Sequence, residues 1–283
     1  MRYLRIILVP SIIALLLTNG IRGAAPTPAD PAPAAQRPEP GQPFANTLGM
    51  KFVPVKGVDG LFGVWDVRVQ DYQAFMTAVK RGWDKPPFAQ GPTHPAVNVS
   101  WDDAQAFCRW LTQKEREEGR LGPRQGYRLP TDAEWSQAAG LEEPARGTPQ
   151  SKDSKIKEPT NPSEIAASAG KLIYPWGSSW PPPKDSGNYD NFLKADTFEF
   201  TSPVGSFAAN RQGLFDLSGN VWQWCEDQFD GSSGKRTLRG AAYFNVNADN
   251  LLLSRRTAYD PATRIHYVGF RVVLDASGTT SAR

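Results

Sequence analysis

The residue types that most often carry protein chemistry are scarce in this sequence. It contains two cysteines and two histidines among 283 residues, too few for a four-ligand zinc site. His94 stands beside a proline in a predicted turn and His266 lies shortly before a glycine, so both are interpreted as surface or packing residues. A 2-His-1-carboxylate iron site would need both histidines, which are far apart in sequence. Metal chemistry based on histidine is therefore not expected.

Two pairs of adjacent carboxylates are the remaining candidates for acid–base chemistry. Neighbouring side chains on a strand point to opposite faces, so Glu226 and Asp227 do not form a natural pair. Asp102 and Asp103 follow Ser100, a predicted helix N-cap, where carboxylates favour the positive end of the helix dipole. The simplest interpretation of both pairs is structural. The sequence also shows no glycine-rich phosphate loop and no nucleophile elbow.

The composition favours a loop-rich fold with little net charge. The chain has 32 basic and 29 acidic residues and a formal charge of +3, so nothing points to nucleic acid or an acidic membrane surface as a partner. Glycine and proline number 25 each and tryptophan nine, with few long periodic segments. This combination indicates loops held together by aromatic packing, not a helical bundle or a parallel α/β sheet.

The N-terminus has the pattern of a secretory signal peptide at 1–25. Arg2 and Arg5 precede an apolar segment at 6–18 that is too short to favour a membrane-spanning helix. Small residues at 23–25 offer a cleavage site, and an uncleaved N-terminal anchor is the alternative. We therefore expect a secreted, periplasmic or cell-envelope protein whose mature form has no transmembrane span.

The rest of the chain divides by composition. An Ala/Pro-rich segment at 26–43 predicts a disordered tether. The folded domain is expected at 44–276, interrupted at 141–170 by a polar, aperiodic segment that predicts a mobile surface insertion without a core. A polar tail follows at 277–283.

Short helices and strands are expected to position the candidate residues. Apolar spacing predicts a first helix with Tyr72 and Phe75 on its buried face. Ser100 is the predicted N-cap of a second helix, and Thr131 and Glu134 have capping-box spacing at the start of a third. Strands are expected at 47–55, 61–67, 222–224 and 268–273.

Several short motifs occur in a fixed order, and each is weak alone. A Gly-Asn turn at 219–220 leads into a strand that places Trp222 and Trp224 on one face. The other motifs are Asn-Val-Ser-Trp at 98–101, Ala-Phe-Cys-Arg-Trp-Leu at 106–111, Tyr-Arg-Leu-Pro-Thr-Asp-Ala-Glu-Trp at 127–135, Tyr-Pro-Trp-Gly at 174–177, Pro-Val-Gly-Ser-Phe at 203–207, Gly-Leu-Phe-Asp at 213–216, Arg-Gly at 239–240 and Gly-Phe-Arg at 269–271. In this order they resemble the formylglycine-generating enzyme family, also called the sulfatase-modifying factor family, over about 44–275.

The resemblance implies an α+β, C-type-lectin-like sulfatase-modifying-factor fold, loop-rich, with short helices around small antiparallel sheets. Enzymes of this family oxidise a cysteine of a client sulfatase to formylglycine, using oxygen and copper(I) held by two cysteine thiolates. Aligned from the Arg-Gly motif, the thiolate positions hold Asn245 and Asn250 in this chain, and the position of the family's nearby serine holds Ala242. A neutral amide cannot hold copper(I) as a thiolate does, so copper is not expected.

The two cysteines of this chain lie elsewhere in the sequence. Cys108 is on the buried stripe of the predicted second helix, and Cys225 follows the tryptophan strand. Free cysteines usually behave as small buried apolar residues, which is the favoured interpretation. A Cys108–Cys225 disulfide is nearly as compatible with an exported protein. A copper site made from this pair ranks third.

The resemblance also implies structural calcium in two loops. The first loop matches Asn188, Tyr189, Asp196 and Phe198, and the second matches Asp216, Gly219, Val221 and Gln223. Calcium prefers six or more hard oxygens with some negative charge. The first loop keeps its aspartate, whereas the second has neutral Gln223 where a glutamate is usual. Asx turns and ordinary loop hydrogen bonds are the alternative for both loops.

Three residues are candidates for a substrate groove. Arg255 and Arg256 resemble the family's arginine near the substrate groove, and Trp222 is a further groove candidate. A structural ion pair suits the two arginines equally well.

Three functions from different classes remain. The favoured function is a non-redox module that binds a protein, peptide or glycan in a surface groove, because neither thiolate position holds a cysteine. The alternatives are a divergent oxidoreductase acting on a protein or peptide, and a structural envelope-assembly protein.

Overall fold

The computed structural model describes residues 37–144, 146–153 and 173–277, so the predicted signal peptide, most of the tether and the end of the tail lie outside the described residues. Within the described ranges the α-helices are α1 (Val69–Ala78), α2 (Trp101–Glu117), α3 (Asp132–Ala139) and α4 (Pro149–Lys152). The strands are β1 (Phe44–Ala45), β2 (Lys51–Pro54), β3 (Leu61–Gly63), β4 (Gly126–Arg128), β5 (Trp222–Gln228), β6 (Arg236–Arg239), β7 (Arg256–Tyr259), β8 (Val268–Phe270) and β9 (Val273–Asp275). Short elements joined by long loops are what the α+β prediction requires. None of the helices in these ranges has the length and hydropathy to cross a bilayer.

The strands form two small sheets. The first has the order β1-β2-β3-β9-β4, with every pair antiparallel. The second has the order β7-β6-β5-β8, in which β5 and β8 are parallel and the other pairs antiparallel. The expected small antiparallel sheets are therefore present, with one parallel pair as the exception.

The Gly-Phe-Arg motif joins the two sheets. The expectation of one strand at 268–273 is wrong, because the segment divides into β8 in the second sheet and β9 in the first. Arg271 lies between them with its side chain fully buried, and its Nη1 donates to the carbonyl of Gly63 at 2.8 Å. A strand that changes sheets cannot keep one hydrogen-bonding partner, and alternation of residue types does not reveal that change.

Two helices begin where their capping residues predict. Ser100 Oγ accepts a hydrogen bond from the backbone N of Asp103 at 3.1 Å, and the Asp103 carboxylate accepts from the backbone N of Ser100 at 3.2 Å. Thr131 and Glu134 make the same reciprocal pair at the start of α3, at 3.1 and 2.8 Å. Each pair satisfies backbone donors that the helix leaves free. The predicted N-cap at Ser100 and the predicted capping box at Thr131 and Glu134 are therefore confirmed, and Asp103 completes a capping box at Ser100 as well.

Strand β5 separates two hydrophobic cores. Trp222 and Trp224 face the larger core, where they meet the buried stripe of α2 that includes Phe107. Cys225 belongs to a second core together with Trp135 of α3. Successive residues of a strand point to opposite faces, which explains the division. The prediction that both indoles lie on one face is confirmed.

Two segments are better anchored than their composition indicates. Pro38 is buried, and its carbonyl accepts a hydrogen bond from Gln125 Nε2 at 2.9 Å, so contacts with the domain begin before 44. Leu141 is buried in the second core and Asp153 forms an ion pair with Arg255. The expectation of an insertion without core contacts is therefore wrong for its first part, while 154–170 lies outside the described residues.

Candidate functional site

The turn at the implied copper site is closed by its own hydrogen bonds. The chain leaves β6 through Gly240 and Ala241 with positive φ angles of 101° and 63°, and a side chain at 240 would meet the Leu217 carbonyl at 2.9 Å. Asn245 Oδ1 then accepts a hydrogen bond from the backbone N of Ala242 at 2.7 Å. The backbone N of Asn245 donates to the Ala242 carbonyl at 2.9 Å. Buried Asn245 therefore stabilises a tight turn where the resemblance implies the first thiolate.

The second implied thiolate position is also occupied by an asparagine, Asn250. Asn250 lies in a 3₁₀ turn (Ala248–Leu251) and is partly buried. Its Oδ1 accepts a long hydrogen bond of 3.5 Å from Arg255 Nε. Neither asparagine nor Ala242 supplies a soft ligand, so the residues at these positions do not fit copper(I).

Cys108 and Cys225 are free thiols, and both are buried. They lie in different hydrophobic cores, Cys108 on α2 and Cys225 on the opposite side of β5 from Trp224. The disulfide interpretation is thereby corrected, because the Cys225 side chain points away from the core that contains Cys108. Burial raises the pKa of both thiols, which disfavours the thiolate that would bind copper. The cysteines do not replace the lost ligand pair.

A buried ion network fastens the strands beside this turn to α3. Arg239 and Arg256 bind Asp132 at 2.6 and 2.9 Å, and the three side chains are at most 3% exposed. Arg256 also pairs with Glu143, which extends the network into the segment after α3. Burial alone would raise the pKa of Asp132, but the two guanidinium groups hold it below its usual range.

Two of the three residues expected in a groove are buried, Arg256 in this network and Trp222 in the larger hydrophobic core. Arg256 is 0% and Trp222 5% exposed, so the expectation that these side chains line a surface groove is wrong. The charge of Arg256 is paired with Asp132, and the ring of Trp222 packs in the larger hydrophobic core. Arg255 remains 19% exposed and forms an ion pair with Asp153. The ion-pair interpretation of the two arginines is the one that the geometry favours.

The first implied calcium loop contains an oxygen that lacks a donor. Asp196 accepts hydrogen bonds from the backbone N of Tyr189 at 2.9 Å and of Phe198 at 2.8 Å. Buried Asn188 donates through Nδ2 to the Phe200 carbonyl at 2.9 Å, while its Oδ1 has no hydrogen-bond partner among the described residues. A buried oxygen without a hydrogen-bond donor commonly binds a cation or a water molecule. This loop therefore fits a hard cation. No cluster of three His, Cys, Asp or Glu occurs in the described ranges, so amide and carbonyl oxygens would have to supply most ligands.

The second implied calcium loop is closed by hydrogen bonds instead. Gln223 Oε1 accepts from Trp135 Nε1 at 3.0 Å and from Arg271 Nε at 3.3 Å, while its Nε2 donates to the Asp216 carbonyl. The Asp216 carboxylate accepts from the backbone N of Gly205 at 2.7 Å. A guanidinium at the oxygen that would coordinate calcium repels a second cation. The donor set of Asp216, Gly219, Val221 and Gln223 therefore does not fit calcium.

A row of linked aromatic rings lies beside the turn at 242–245 and is not marked by any sequence motif. Phe88 stacks on Phe200 with a centroid distance of 4.5 Å and contacts Tyr243 at 5.7 Å. Tyr243 contacts Phe244 at 5.7 Å, and Phe244 contacts Tyr267 at 4.7 Å. We call these residues the aromatic surface, which is formed by Phe88, Phe200, Tyr243, Phe244, Tyr259 and Tyr267.

The aromatic surface is partly open and has hydroxyl groups along it. Phe200 and Phe244 are 37% and 40% exposed. The hydroxyls of Tyr259 and Tyr267 are 3.0 Å apart, and the Tyr243 hydroxyl lies 2.7 Å from His266 Nδ1. Burial raises the pKa of Tyr243 to about 12, so its hydroxyl stays protonated at neutral pH. The rings come from separate stretches of the chain, which is why no periodic spacing indicates them.

Comparison with known proteins identifies relatives of the whole domain. Residues 50–276 match the family described as sulfatase-modifying factor enzyme 1-like domain. Formylglycine-generating enzyme from Streptomyces coelicolor is 28% identical over 229 residues, covering 71% of this chain and 60% of that protein. Inactive C-alpha-formylglycine-generating enzyme 2 from Bos taurus is 32% identical over 160 residues, covering 54% of this chain and 39% of that protein. The chain thus spans 60% or less of the length of these two relatives.

A solved structure supports the same architecture. PvdO from Pseudomonas aeruginosa aligns with a TM-score of 0.56 at 20% sequence identity, covering 84% of this chain and 99% of that chain. At this identity the likeness concerns the fold alone. Together with the family match it confirms the α+β, loop-rich fold that the ordered motifs predict.

Proposed function

The chain belongs to the sulfatase-modifying factor enzyme 1-like family, and from this premise we propose that it is an exported, non-redox module that binds a peptide segment of another protein. The observation that carries the proposal is the turn at 242–245. There the amide of Asn245 is a hydrogen-bonding part of the backbone turn, at a position where copper chemistry needs a thiolate. The function is therefore proposed to depend on binding alone.

Two further observations support the absence of thiol chemistry. The pKa values of Cys108 and Cys225 are raised by burial in separate cores, so neither thiol is available as a ligand near the turn. A relative from Bos taurus is named an inactive C-alpha-formylglycine-generating enzyme. At least one relative thus keeps the domain and is named as inactive. The fold alone does not determine whether a reaction is catalysed.

The shape of the aromatic surface favours a peptide over a glycan. Apart from the stacked pair of Phe88 and Phe200, its neighbouring rings meet at steep angles. The interplanar values are 80° for Phe88 and Tyr243, 78° for Tyr243 and Phe244, and 64° for Phe244 and Tyr267. Such a surface presents ring edges and notches that suit apolar side chains, not one flat platform for a sugar ring. The tyrosine hydroxyls beside it can bond to peptide carbonyls and amides.

A direct assay tests the absence of redox chemistry. The chain is loaded anaerobically with copper(I), exposed to oxygen and incubated with a cysteine-containing sulfatase peptide, and the peptide is analysed by mass spectrometry. We expect no formylglycine, with the Streptomyces coelicolor enzyme as the positive control. Formation of formylglycine by this chain above the rate of copper alone would overturn the proposal.

A binding assay tests the peptide and its location. Peptides selected from a random library are measured by fluorescence anisotropy against the wild type, Phe244→Ala and Phe192→Ala. We expect Phe244→Ala to weaken binding at least about tenfold, or about 1.4 kcal/mol. Phe192 is 81% exposed and outside the aromatic surface, so its removal should change little. Equal loss in both variants, or selection of glycans but not peptides by the same surface, would contradict the assignment.

A further inference from the structure

A concave surface lies between the C-terminal half of α2 and β4. It is a cleft of about 570 Å³, and none of the residues lining it belongs to the aromatic surface. Its charged lining residues are Arg109, Arg116, Glu117, Arg124, Arg128 and Asp275. The concentration of arginine is unexpected for a chain whose net charge is only +3.

One of the four arginines is neutralised by partners. Arg128 donates from Nη1 and Nη2 to the two carboxylate oxygens of Glu134, both at 2.6 Å. Its Nε donates to Asp275 at 2.9 Å. This pairing holds the guanidinium against the protein, and Arg128 with these two carboxylates carries a net charge of −1.

The other three arginines keep most of their donors. Arg116 donates from Nη2 to the Gln125 carbonyl at 2.7 Å, a contact that adds no negative charge. Arg109 and Arg124 are exposed and make no hydrogen bond or ion pair with the described part of the chain. Glu117 is the remaining carboxylate, and its Oε1 accepts from Gln113 Nε2 at 2.8 Å. Besides the Arg128 cluster, three guanidinium groups and one carboxylate therefore line the same cleft.

Ordinary helix electrostatics do not account for this arrangement. Basic residues in the last turn of a helix complement its dipole, which explains Lys114 and Arg116. Arg109 lies in the middle of α2 and Arg124 lies after its end, so neither serves the dipole. An exposed helical arginine is commonly paired with a carboxylate four residues away, but that position holds Gln113. Like charges gathered around a concave surface repel each other unless an anion joins them.

We propose that this cleft binds a phosphate group. Guanidinium forks match the oxygens of a phosphate, and two unpaired arginines together with Arg116 suit a dianion better than a single carboxylate would. The cleft is much larger than one phosphate. It therefore accommodates a phosphate carried on a larger molecule, with the Gln113 amide on its wall as a further hydrogen-bonding group. The site is independent of the proposed peptide-binding surface, and either assignment can fail without the other.

The test compares a variant that removes two positive charges from the cleft with a control that removes one positive charge elsewhere on the surface. The full chain is titrated with inorganic phosphate and with acetate by isothermal calorimetry, using the wild type, the double variant Arg109→Gln/Arg124→Gln and the control Arg211→Gln. Arg211 is exposed and outside the cleft. We expect saturable phosphate binding that weakens at least tenfold in the double variant, stays within twofold in Arg211→Gln and exceeds acetate binding. Thermal unfolding checks that the variants remain folded.

A second set of titrations distinguishes the sources of the phosphate. A phosphoserine peptide and the same peptide with serine are compared with inorganic phosphate. Tighter binding of the phosphopeptide, lost in the double variant, identifies phosphate on a polypeptide; equal binding identifies free phosphate. Lack of saturation by any phosphate compound, or equal loss in Arg211→Gln, would show that the cleft is only a solvated basic surface.

Discussion

The buried network around Asp132 provides the sharpest test of the structural reasoning. Asp132 is the first residue of α3, and its carboxylate joins Arg239 of β6 and Arg256 of β7. Both arginine side chains are 0% exposed, so neither can turn toward water if its partner is lost. The substitution Asp132→Asn keeps the size of the side chain and removes its charge.

The expected loss of stability follows from the charges that remain. Removing one partner of a buried ion pair costs about 3–5 kcal/mol, because an uncompensated charge stays in the interior. Arg256 keeps Glu143 as a partner, whereas Arg239 keeps only neutral acceptors such as the Leu253 carbonyl. We therefore expect the lower end of that range, about 3 kcal/mol. With a urea m-value of about 2 kcal/mol/M, the unfolding midpoint falls by about 1.5 M.

The pH dependence has a defined sign. The pKa of Asp132 is lowered in the folded state by Arg239 and Arg256. A carboxyl group of this kind contributes stability above its unfolded pKa, which is about 3.9, and that contribution is lost as the pH falls through the folded pKa. The difference between wild type and Asp132→Asn should therefore be complete at pH 7 and shrink below about pH 4.

Urea unfolding followed by tryptophan fluorescence measures this difference. Trp135 is a suitable reporter because the guanidinium of Arg239 lies 4.3 Å from its ring. The matched control is Asp84→Asn, which removes an exposed carboxylate and should change stability by no more than about 0.5 kcal/mol. If Asp132→Asn at pH 7 lies within about 1 kcal/mol of the wild type, the network does not stabilise the fold as argued.

Three other predictions follow from single sites. Ser100→Ala should cost about 1 kcal/mol in urea unfolding because α2 loses its N-cap, and a loss below about 0.3 kcal/mol would contradict that role. Cys108 and Cys225 should react with a thiol reagent only after unfolding, since both are buried; reaction of either thiol in the native protein within minutes would refute this. Calcium should raise the melting temperature of the wild type but not of Asp196→Asn, with magnesium as the ion control, and an equal rise in both would exclude the first loop as the site.

Local signals in the sequence were sufficient for features that depend on neighbouring residues. The N-cap at Ser100 and the capping box at Thr131 involve donors and acceptors three residues apart, so the side-chain types alone predict them. The alternation around Trp222 and Trp224 predicts a strand with both indoles on one face for the same reason. The ordered motifs also indicate the family, because they preserve the turns and close contacts that the fold requires.

The candidate sites depended instead on contacts between distant parts of the chain. Arg256 and Trp222 have residue types typical of a groove, and only their burial among partners from α2, α3 and the segment after it shows that they are interior. The aromatic surface gathers rings from residue 88 to residue 267, a separation over which no periodicity extends.

The sequence by itself determined the fold family and the absence of thiolates at the implied copper positions, since both depend on residue identity at aligned positions. The tertiary structure alone decided what occupies the remaining sites. Gln223 differs from the usual glutamate by one charge, and its hydrogen bonds to Trp135 and Arg271 show that a guanidinium now lies beside its oxygen. Burial and the sign of nearby charge arise from packing, which brings together residues that the sequence keeps far apart.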